Sequence, residues 1–364
     1  MLSSHPLPLA ALAGTALRRI FEETPPTPRV ALKKQRRQAE TGAPSSREPR
    51  AVAGRYRLES YLESGGTADV YCALDLATGR RVAIKLLRQD TAQNAVLREH
   101  FMLGARAAQR IEHENVVRVL EVHERRGLRP YAVMELLEGR SLDAVPAKGS
   151  GLAPALVLEI ARQIAAGLSA AHKAGVVHCD VKPENLFIAG EPGGTARIKV
   201  LDFDLANVDG AEDPGEAHVL RGTAKYMAPE QVVGDPVDGR TDVYALGVVL
   251  FRLLTGQLPF DLPLGATLLR HQLYSPLPPV SWLVESVDPR LEALITRATR
   301  KDPFLRYPSM QALHADLDAL IAGEPLSEWA LRAEPDSYRP RTPRGIDNEM
   351  ALRPEAWPIE TSAV

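Results

Sequence analysis

The sequence predicts an α+β protein of two lobes, a small β-rich lobe followed by a larger helical one. Three observations carry this. From Arg55 the chain alternates apolar and polar residues with a period of two, in stretches such as "YRLESYL" and "DVYCALDL". After "EGRSLD" the apolar spacing changes to four, with Leu156, Ile160, Ile164 and Leu168 on one helical face. Further on, "DVYALGVVLFRLLTG" is apolar nearly all round, which marks a helix buried at the centre of a lobe.

Taken in order, the elements begin after residues 1–54, which are rich in Pro, Arg, Ser and Ala and contain "TPPTPR" and "KKQRRQ". These read as a mobile, locally basic arm. The first lobe spans 55–138: a β-meander through "RRVAIKLL", a helix at "NAVLREHFMLGARAAQRI", and two more strands at "VVRVLEVHE" and "RPYAVMELL". That makes a five-stranded antiparallel sheet with one helix. The second lobe spans 139–325, with helices at "PALVLEIARQIAAGLSAAHKAG", at the buried stretch above, at "PRLEALITRATR" and at "SMQALHADLDALIAG". The cleft between the lobes is the natural ligand site. Residues 326–364 are Pro-rich and charged and read as a disordered tail, with Trp329 and Trp357 as candidate anchors.

Composition narrows the classes of function. A length of 364 residues with 45% apolar content allows a sizeable core. The net charge of −2 argues against general nucleic-acid binding, which needs a basic surface. No apolar run reaches the roughly 20 residues of a membrane helix, and the short apolar run near the N-terminus lacks the basic start of a secretory signal. Cys72 and Cys179 are the two cysteines, too few for a disulfide framework, and the reading is a reducing cytoplasm.

Several residues have the right chemistry for phosphoryl transfer. Lys85 ends the apolar strand "VAIK", where burial without a partner would be costly; facing a cleft, it neutralises nucleotide phosphates. In "HCDVKPEN", Asp180 is placed to accept or orient a hydroxyl proton and Lys182 to neutralise charge on a transferring phosphoryl group. Asn185 offers a neutral oxygen to a metal, and Pro183 stiffens the loop between them. His178 reads as structural rather than as a proton carrier. Asp202, at the end of the apolar strand in "IKVLDFDLA", suits Mg2+ bridging two phosphates. Glu230 in "RGTAKYMAPE" and Arg306 in "KDPFLRYPS" are candidates for a buried structural ion pair.

The ordered series VAIK, HxDxKxxN, DF, GTxxYMAPE, DVYALG and KDPxxR resembles the bacterial Ser/Thr protein kinases of the eukaryotic-like (Hanks-type) family, over about residues 55–325. The resemblance implies the bilobal protein-kinase fold, with ATP in the cleft and Mg2+, or Mn2+ in its place, at Asn185 and Asp202. It implies that Lys85 holds the α/β-phosphates, Asp180 is the catalytic base, Lys182 contacts the γ-phosphate and Thr223 helps seat a substrate hydroxyl. Adenine would lie between Val70 and Ala83 above and Phe187 below, bonded to the backbone from Glu135 to Leu137, with Met134 as gatekeeper. Leu62, Gly65 and Gly66 would form the lid over the nucleotide.

Five departures qualify that pattern. The glycine loop is "LESGGTADVY": Glu63 and Ala68 stand for two glycines, which loosens the lid, and a carboxylate at 63 repels a triphosphate unless it points away. The helix glutamate that normally pairs with the VAIK lysine falls on Gly104. Glu99 is no stand-in, since five residues place it about 140° round the helix. Lys85 must therefore find another acid or rely on ATP alone. Cys179 replaces the arginine that receives an activation-loop phosphate, and bland packing suits it better than redox sensing. DFG reads "DFD", where Asp204 restricts the hinge and adds a carboxylate near the metal. Last, the loop before Thr223 has no Ser or Thr, so receptor and phosphosite are missing together.

The reading is a Ser/Thr protein kinase of the non-RD type that runs without activation-loop phosphorylation. The alternative is a nucleotide-binding pseudokinase acting as a scaffold or regulator. A small-molecule phosphotransferase is disfavoured by "GTAKYMAPE", which in the family builds a peptide platform. Protein substrates carrying Ser or Thr are the expected partners. The tails are candidate docking segments, and Thr24, Thr27 and Thr41 are candidate autophosphorylation sites.

Overall fold

The computed structural model describes residues 51–125, 127–145, 151–190, 195–208 and 224–331. The readings made for Thr24, Thr27, Thr41, Trp357 and Thr223, and for the loop at 209–223, lie outside these residues.

The alternating segments build a six-stranded antiparallel sheet from β1 (Ala51–Val52), β2 (Tyr56–Ser64), β3 (Ala68–Asp75), β4 (Arg81–Leu87), β5 (Val119–His123) and β6 (Tyr131–Glu135). Their order is β1-β2-β3-β4-β6-β5. The sequence reading of five strands is corrected by β1, which lies in the stretch assigned to the arm. Ala53 and Gly54 both take positive φ, 51° and 70°, and the Arg55 N–H donates to the Val52 carbonyl at 3.1 Å. This tight turn folds Val52 back onto Tyr56, where both side chains are buried.

Two helices interrupt the meander, α1 (Gln89–Ala92) and α2 (Ala95–Gln109). Asn94 starts α2, its side-chain oxygen accepting from the N–H groups of Val96 and Leu97. The buried face of α2 includes Phe101, Met102, Gly104, Ala105 and Ala108. Its small residues let the backbone come close to the cleft.

The helical lobe is organised around α3 (Pro154–Lys173) and α5 (Gly239–Thr255). Ile160, Ile164 and Leu168 of α3 are fully buried, as the spacing of four predicts, and Val243 to Phe251 of α5 lie in the same core. Short strands β7 (Gly139–Ser141), β9 (Leu186–Ala189) and β10 (Arg197–Val200) form one small sheet; β8 (Val176–Val177) and β11 (Asn207–Val208) form another. These pairs hold the loops that carry Asp180, Asn185 and Asp202. Around the core pack α4 (Pro229–Val233), α6 (Ala266–Tyr274), α7 (Pro289–Ala298) and α8 (Met310–Ala322). Helix α6 has no counterpart in the sequence reading: it buries only Leu268, Gln272 and Leu273, so its amphipathic signal is weak.

The tail reading is corrected for residues 326–331. Leu326 and Ala330 are buried, and α9 (Glu328–Leu331) packs near α7. The buried Asp316 carboxylate accepts from the Ser327 N–H and hydroxyl at 2.9 and 2.7 Å. Trp329 faces the Arg297 guanidinium at 5.7 Å.

Candidate active site

The cleft is built from both lobes. Its upper wall is Val70, Ala83 and Lys85 from the sheet, its back is Ala105 and Ala108 of α2, and its floor includes Leu201 and Asn185. Met134, Glu135 and Leu137 line the strand that joins the lobes. Phe187 lies beneath, fully buried in one cluster with Leu62, Val70, Ala83, Leu137 and Leu201. Of the residues expected around adenine, the structure thus brings together Val70, Ala83, Met134, Glu135, Leu137 and Phe187; Leu62 joins the cluster without lining the cavity. Gly65 and Gly66 sit at the β2–β3 turn, where the Gly65 N–H donates to the Ala68 carbonyl at 2.8 Å, and do not line it. Sequence reasoning missed Val117, Leu201, Ala105 and Ala108. Nothing marks these ordinary apolar residues until the fold assembles them.

On the floor, the loop after β8 is rigidly held. The Asp242 carboxylate, fully buried in α5, accepts from the backbone N–H groups of His178 and Cys179, each at 2.9 Å, and pairs with His172 Nε2 at 2.7 Å. Burial works against its charge, yet these bonds outweigh it and hold its pKa below the usual carboxylate range. Such a bond to backbone lets Cys179 stay in the left-handed region at φ 63°, where a non-glycine residue is strained. His178 bridges the floor to the next strand. Its Nδ1 accepts the Asp180 N–H at 3.2 Å, so Nε2 carries the proton and donates to the Leu201 carbonyl at 2.8 Å. The imidazole is therefore structural, as the sequence implied.

Asp180 projects from this anchored loop. Its Oδ2 accepts from Lys182 Nζ at 2.6 Å and from Asn185 Nδ2 at 3.0 Å. Burial raises its pKa, and the neighbouring Lys182 offsets this only in part. A carboxylate of raised proton affinity, held between a cation and an amide, is suited to take a hydroxyl proton. Asn185 Nδ2 also donates to the Asp180 carbonyl at 2.8 Å, so its oxygen is the end left for a ligand.

On the same side of the cleft, next to Leu201, whose N–H donates to the Asn185 carbonyl at 2.8 Å, Asp202 also takes a left-handed conformation, at φ 60°. Its side chain is 42% exposed, and its Oδ1 accepts from Lys85 Nζ at 2.7 Å. Burial opposes the charge, but Lys85 dominates and holds Asp202 well below the usual range. One carboxylate and one amide oxygen in the same cavity are hard donors that fit Mg2+ completed by phosphate oxygens and water. Among the described residues no group of three or more His, Cys, Asp or Glu is placed to hold a metal ion.

Glu63, the residue at the first glycine position of the lid, does not point away. It lines the cleft beside Lys85 and Asp202. Burial, and then the Asp202 charge, push its pKa up to about 7. Below that pH it is neutral and tolerates a triphosphate; above it the carboxylate repels one. We expect ATP affinity to weaken by about fivefold between pH 6.5 and 8, a repulsion on the order of 1 kcal/mol. Isothermal titration should find this loss absent from Glu63→Gln, which separates it from the titration of ATP itself. The linkage has the same sign for stability. The unfolded chain releases this proton near 4.5 and the folded one near 7, so the contribution to stability falls as pH rises between them.

Cys179 is buried, and burial pushes its thiol pKa well above the ordinary value, so packing and not redox chemistry is its role. Iodoacetamide at pH 8 should leave the native thiol unmodified and label it only after denaturation; native labelling within minutes would overturn this.

A two-lobed cleft with a lysine on the β side, and an aspartate–lysine–asparagine group and a second aspartate on the helical side, defines a nucleotide-dependent phosphotransferase. Comparison with known proteins makes the class specific. A family model described as "Protein kinase domain" matches residues 56–317. The serine/threonine-protein kinase Pkn1 of Myxococcus xanthus is 41% identical over 74% of this chain and 38% of its own length. PknL of Mycobacterium tuberculosis is 34% identical over 83% of this chain and 75% of its own, and PrkC of Bacillus subtilis is 33% identical over 82% and 46%. The chain thus spans less than half the length of the Pkn1 and PrkC chains. Among solved structures, the kinase domain of M. tuberculosis PknI superposes with a TM-score of 0.57 at 26% identity, covering 74% of this chain and 96% of that one. The chain belongs to the protein kinase family, alongside the bacterial serine/threonine kinases. No helix among the described residues is long and apolar enough to cross a membrane.

Proposed function

We propose that this chain transfers the γ-phosphate of ATP to serine or threonine hydroxyls of proteins in the cytoplasm, and that it does so without activation-loop phosphorylation. The observation that carries the reading is the hydrogen-bonded group of Asp180, Lys182 and Asn185, whose Asn185 lines the same cleft as the paired Lys85 and Asp202. In this reading Asp180 takes the hydroxyl proton, Lys182 balances the charge that develops on the phosphoryl group, and Lys85 holds the α/β-phosphates. Asn185 and Asp202 would hold Mg2+, which when bound neutralises phosphate oxygens. Thr223 remains the candidate seat for the substrate hydroxyl.

Independence from loop phosphorylation is supported by Cys179. It stands where the family has a phosphate-receiving arginine, it is buried, and its own backbone carbonyl accepts from Gln231 Nε2 at 2.7 Å. A loop phosphate would find no cation at that position. Both cysteines are free and buried, which accords with a reducing compartment. Transfer of label from γ-labelled ATP to a generic basic protein, with Mg2+ or Mn2+, tests the reading. Activity should persist after phosphatase treatment and show no lag. If ATP binds and no label moves, the pseudokinase reading replaces this one. That alternative is favoured by Glu63, whose carboxylate shares the phosphate end of the cleft.

A further inference from the structure

Lys85 lacks an acid on the helix that faces it. Gly104 occupies the facing position on α2 and lines the cleft, and Glu99 is exposed on another side. The absence of a side chain at 104 has a structural use. A Cβ built there would lie 2.3 Å from the Phe203 carbonyl oxygen and 3.1 Å from the Asp204 Cα. The backbone of the "DFD" loop therefore rests directly on the helix, closer than any other residue at 104 would permit. That approach delivers the Asp204 side chain to the lysine: Lys85 Nζ donates to Asp204 Oδ1 at 2.5 Å and to Asp202 Oδ1 at 2.7 Å. Both partners are well covered, Lys85 at 13% side-chain exposure and Asp204 at 21%. The second oxygen of Asp204 is also engaged, accepting from Thr67 Oγ1 at the tip of the lid at 3.1 Å. The Asp204 N–H donates back to Asp202 Oδ1 at 3.2 Å.

We propose that Asp204 is the positioning residue for Lys85, doing from the loop what a helix glutamate does in other kinases, and that Gly104 is the seat that lets the loop reach it. Two departures that look like separate losses, a missing glutamate and a missing hinge glycine, are then one relocation of an acid. Asp204 also ties the lid to the same point through Thr67, which offsets the loosening from the lost loop glycines. A consequence follows for control. Where the acid sits on the helix, a swing of the helix uncouples the lysine; here the lysine moves with the metal-binding loop, and helix displacement alone does not release it.

This inference rests on the kinase reading for its effect on rate but not for its geometry, and the experiment separates the two. Asp204→Asn retains the shape and an acceptor for Thr67 while removing the charge that faces Lys85. Asp204→Gly restores the common family residue, and Asp204→Glu restores the charge on a longer arm. Each is compared with wild type in two assays. The first is steady-state phosphate transfer, resolved into kcat and the KM for ATP. The second is acylation of Lys85 by sulfo-N-hydroxysuccinimide acetate in metal-free, nucleotide-free protein, read by peptide mass spectrometry. The expected result for Asn and Gly is a fall in kcat of about 100-fold, the effect of misplacing a group by about an ångström. KM should change much less, Lys85 acylation should be faster, and Glu should recover part of both losses. Gly104→Ala should reproduce the faster acylation by pushing the loop off the helix. If it fails to fold, the Asp204 series still decides. Unchanged acylation with full activity in Asp204→Gly, or a gain in activity there, overturns the proposal and leaves the kinase reading intact. Faster acylation with no transfer by any form, wild type included, overturns the kinase reading and leaves the positioning role standing.

Discussion

Replacing Asp180 with asparagine should lower phosphate transfer by about 1,000-fold, within the range for loss of a general base, while nucleotide affinity stays within about twofold. The two effects separate because of where Asp180 sits. It is tied to Lys182 and Asn185, whereas Val70, Ala83 and Leu137, the residues proposed to face adenine, line the cavity without touching that group. Asparagine keeps the shape and one acceptor oxygen for Lys182, so the loop anchored on Asp242 should not collapse. What it loses is the capacity to take a proton. A gel assay with labelled ATP measures the first quantity and fluorescence titration of a nucleotide analogue the second. Full transfer by the asparagine form would remove Asp180 as base. Loss of binding together with transfer would mean that the substitution had damaged the cleft.

The largest effect on stability is expected from Arg306→Ala, a loss of about 3–5 kcal/mol, typical of breaking one side of a buried ion pair. Arg306 and Glu230 meet through two parallel bonds of 2.6 and 2.7 Å, with side-chain exposures of 0% and 4%. The guanidinium also donates to the carbonyls of Arg300, Arg240 and Lys301, and Thr241 Oγ1 donates to Glu230 Oε1. Removing the arginine strands a buried carboxylate and three carbonyls at once. For a chain of this size each kcal/mol shifts Tm by about 2–4 °C, so calorimetry should find a drop of about 10 °C. Glu230→Gln should cost less, since an amide still accepts one bond. A shift under about 2 °C for Arg306→Ala would show that water or another cation replaces the lost partner.

Much of the fold was legible because its signals are local. The spacing of Leu156, Ile160, Ile164 and Leu168 specifies a buried helical face, and the structure buries all four. The Glu230–Arg306 pair was also readable as a candidate from "RGTAKYMAPE" and "KDPFLRYPS", and the structure joins the two through paired bonds. The misses have physical causes of their own. Val52 carries no periodic signal in a two-residue strand; it is recruited by a turn and by Tyr56. Ser327 and Ala330 lie in a composition typical of tails, but the buried Asp316 takes both donors of Ser327, and the Ala330 N–H in turn donates to the Ser327 carbonyl.

At the site, the sequence alone determined which chemical groups are present: Lys85, Asp180, Lys182, Asn185 and Asp202, at the spacings from which phosphoryl transfer is proposed, and the loss of an acid at 104. These are properties of residue type and order. Only the tertiary structure decided how they combine. It turned Glu63 into the cleft, hung the Asp180 loop from a carboxylate 62 positions later in the chain at Asp242, and brought Asp204 to Lys85 across the bare backbone of Gly104. The reason is one of range. Spacing along the chain controls what a helix or strand presents, but a contact between Lys85 and Asp204 depends on how closely two backbones pack, and that distance is set by the side chain that Gly104 does not have.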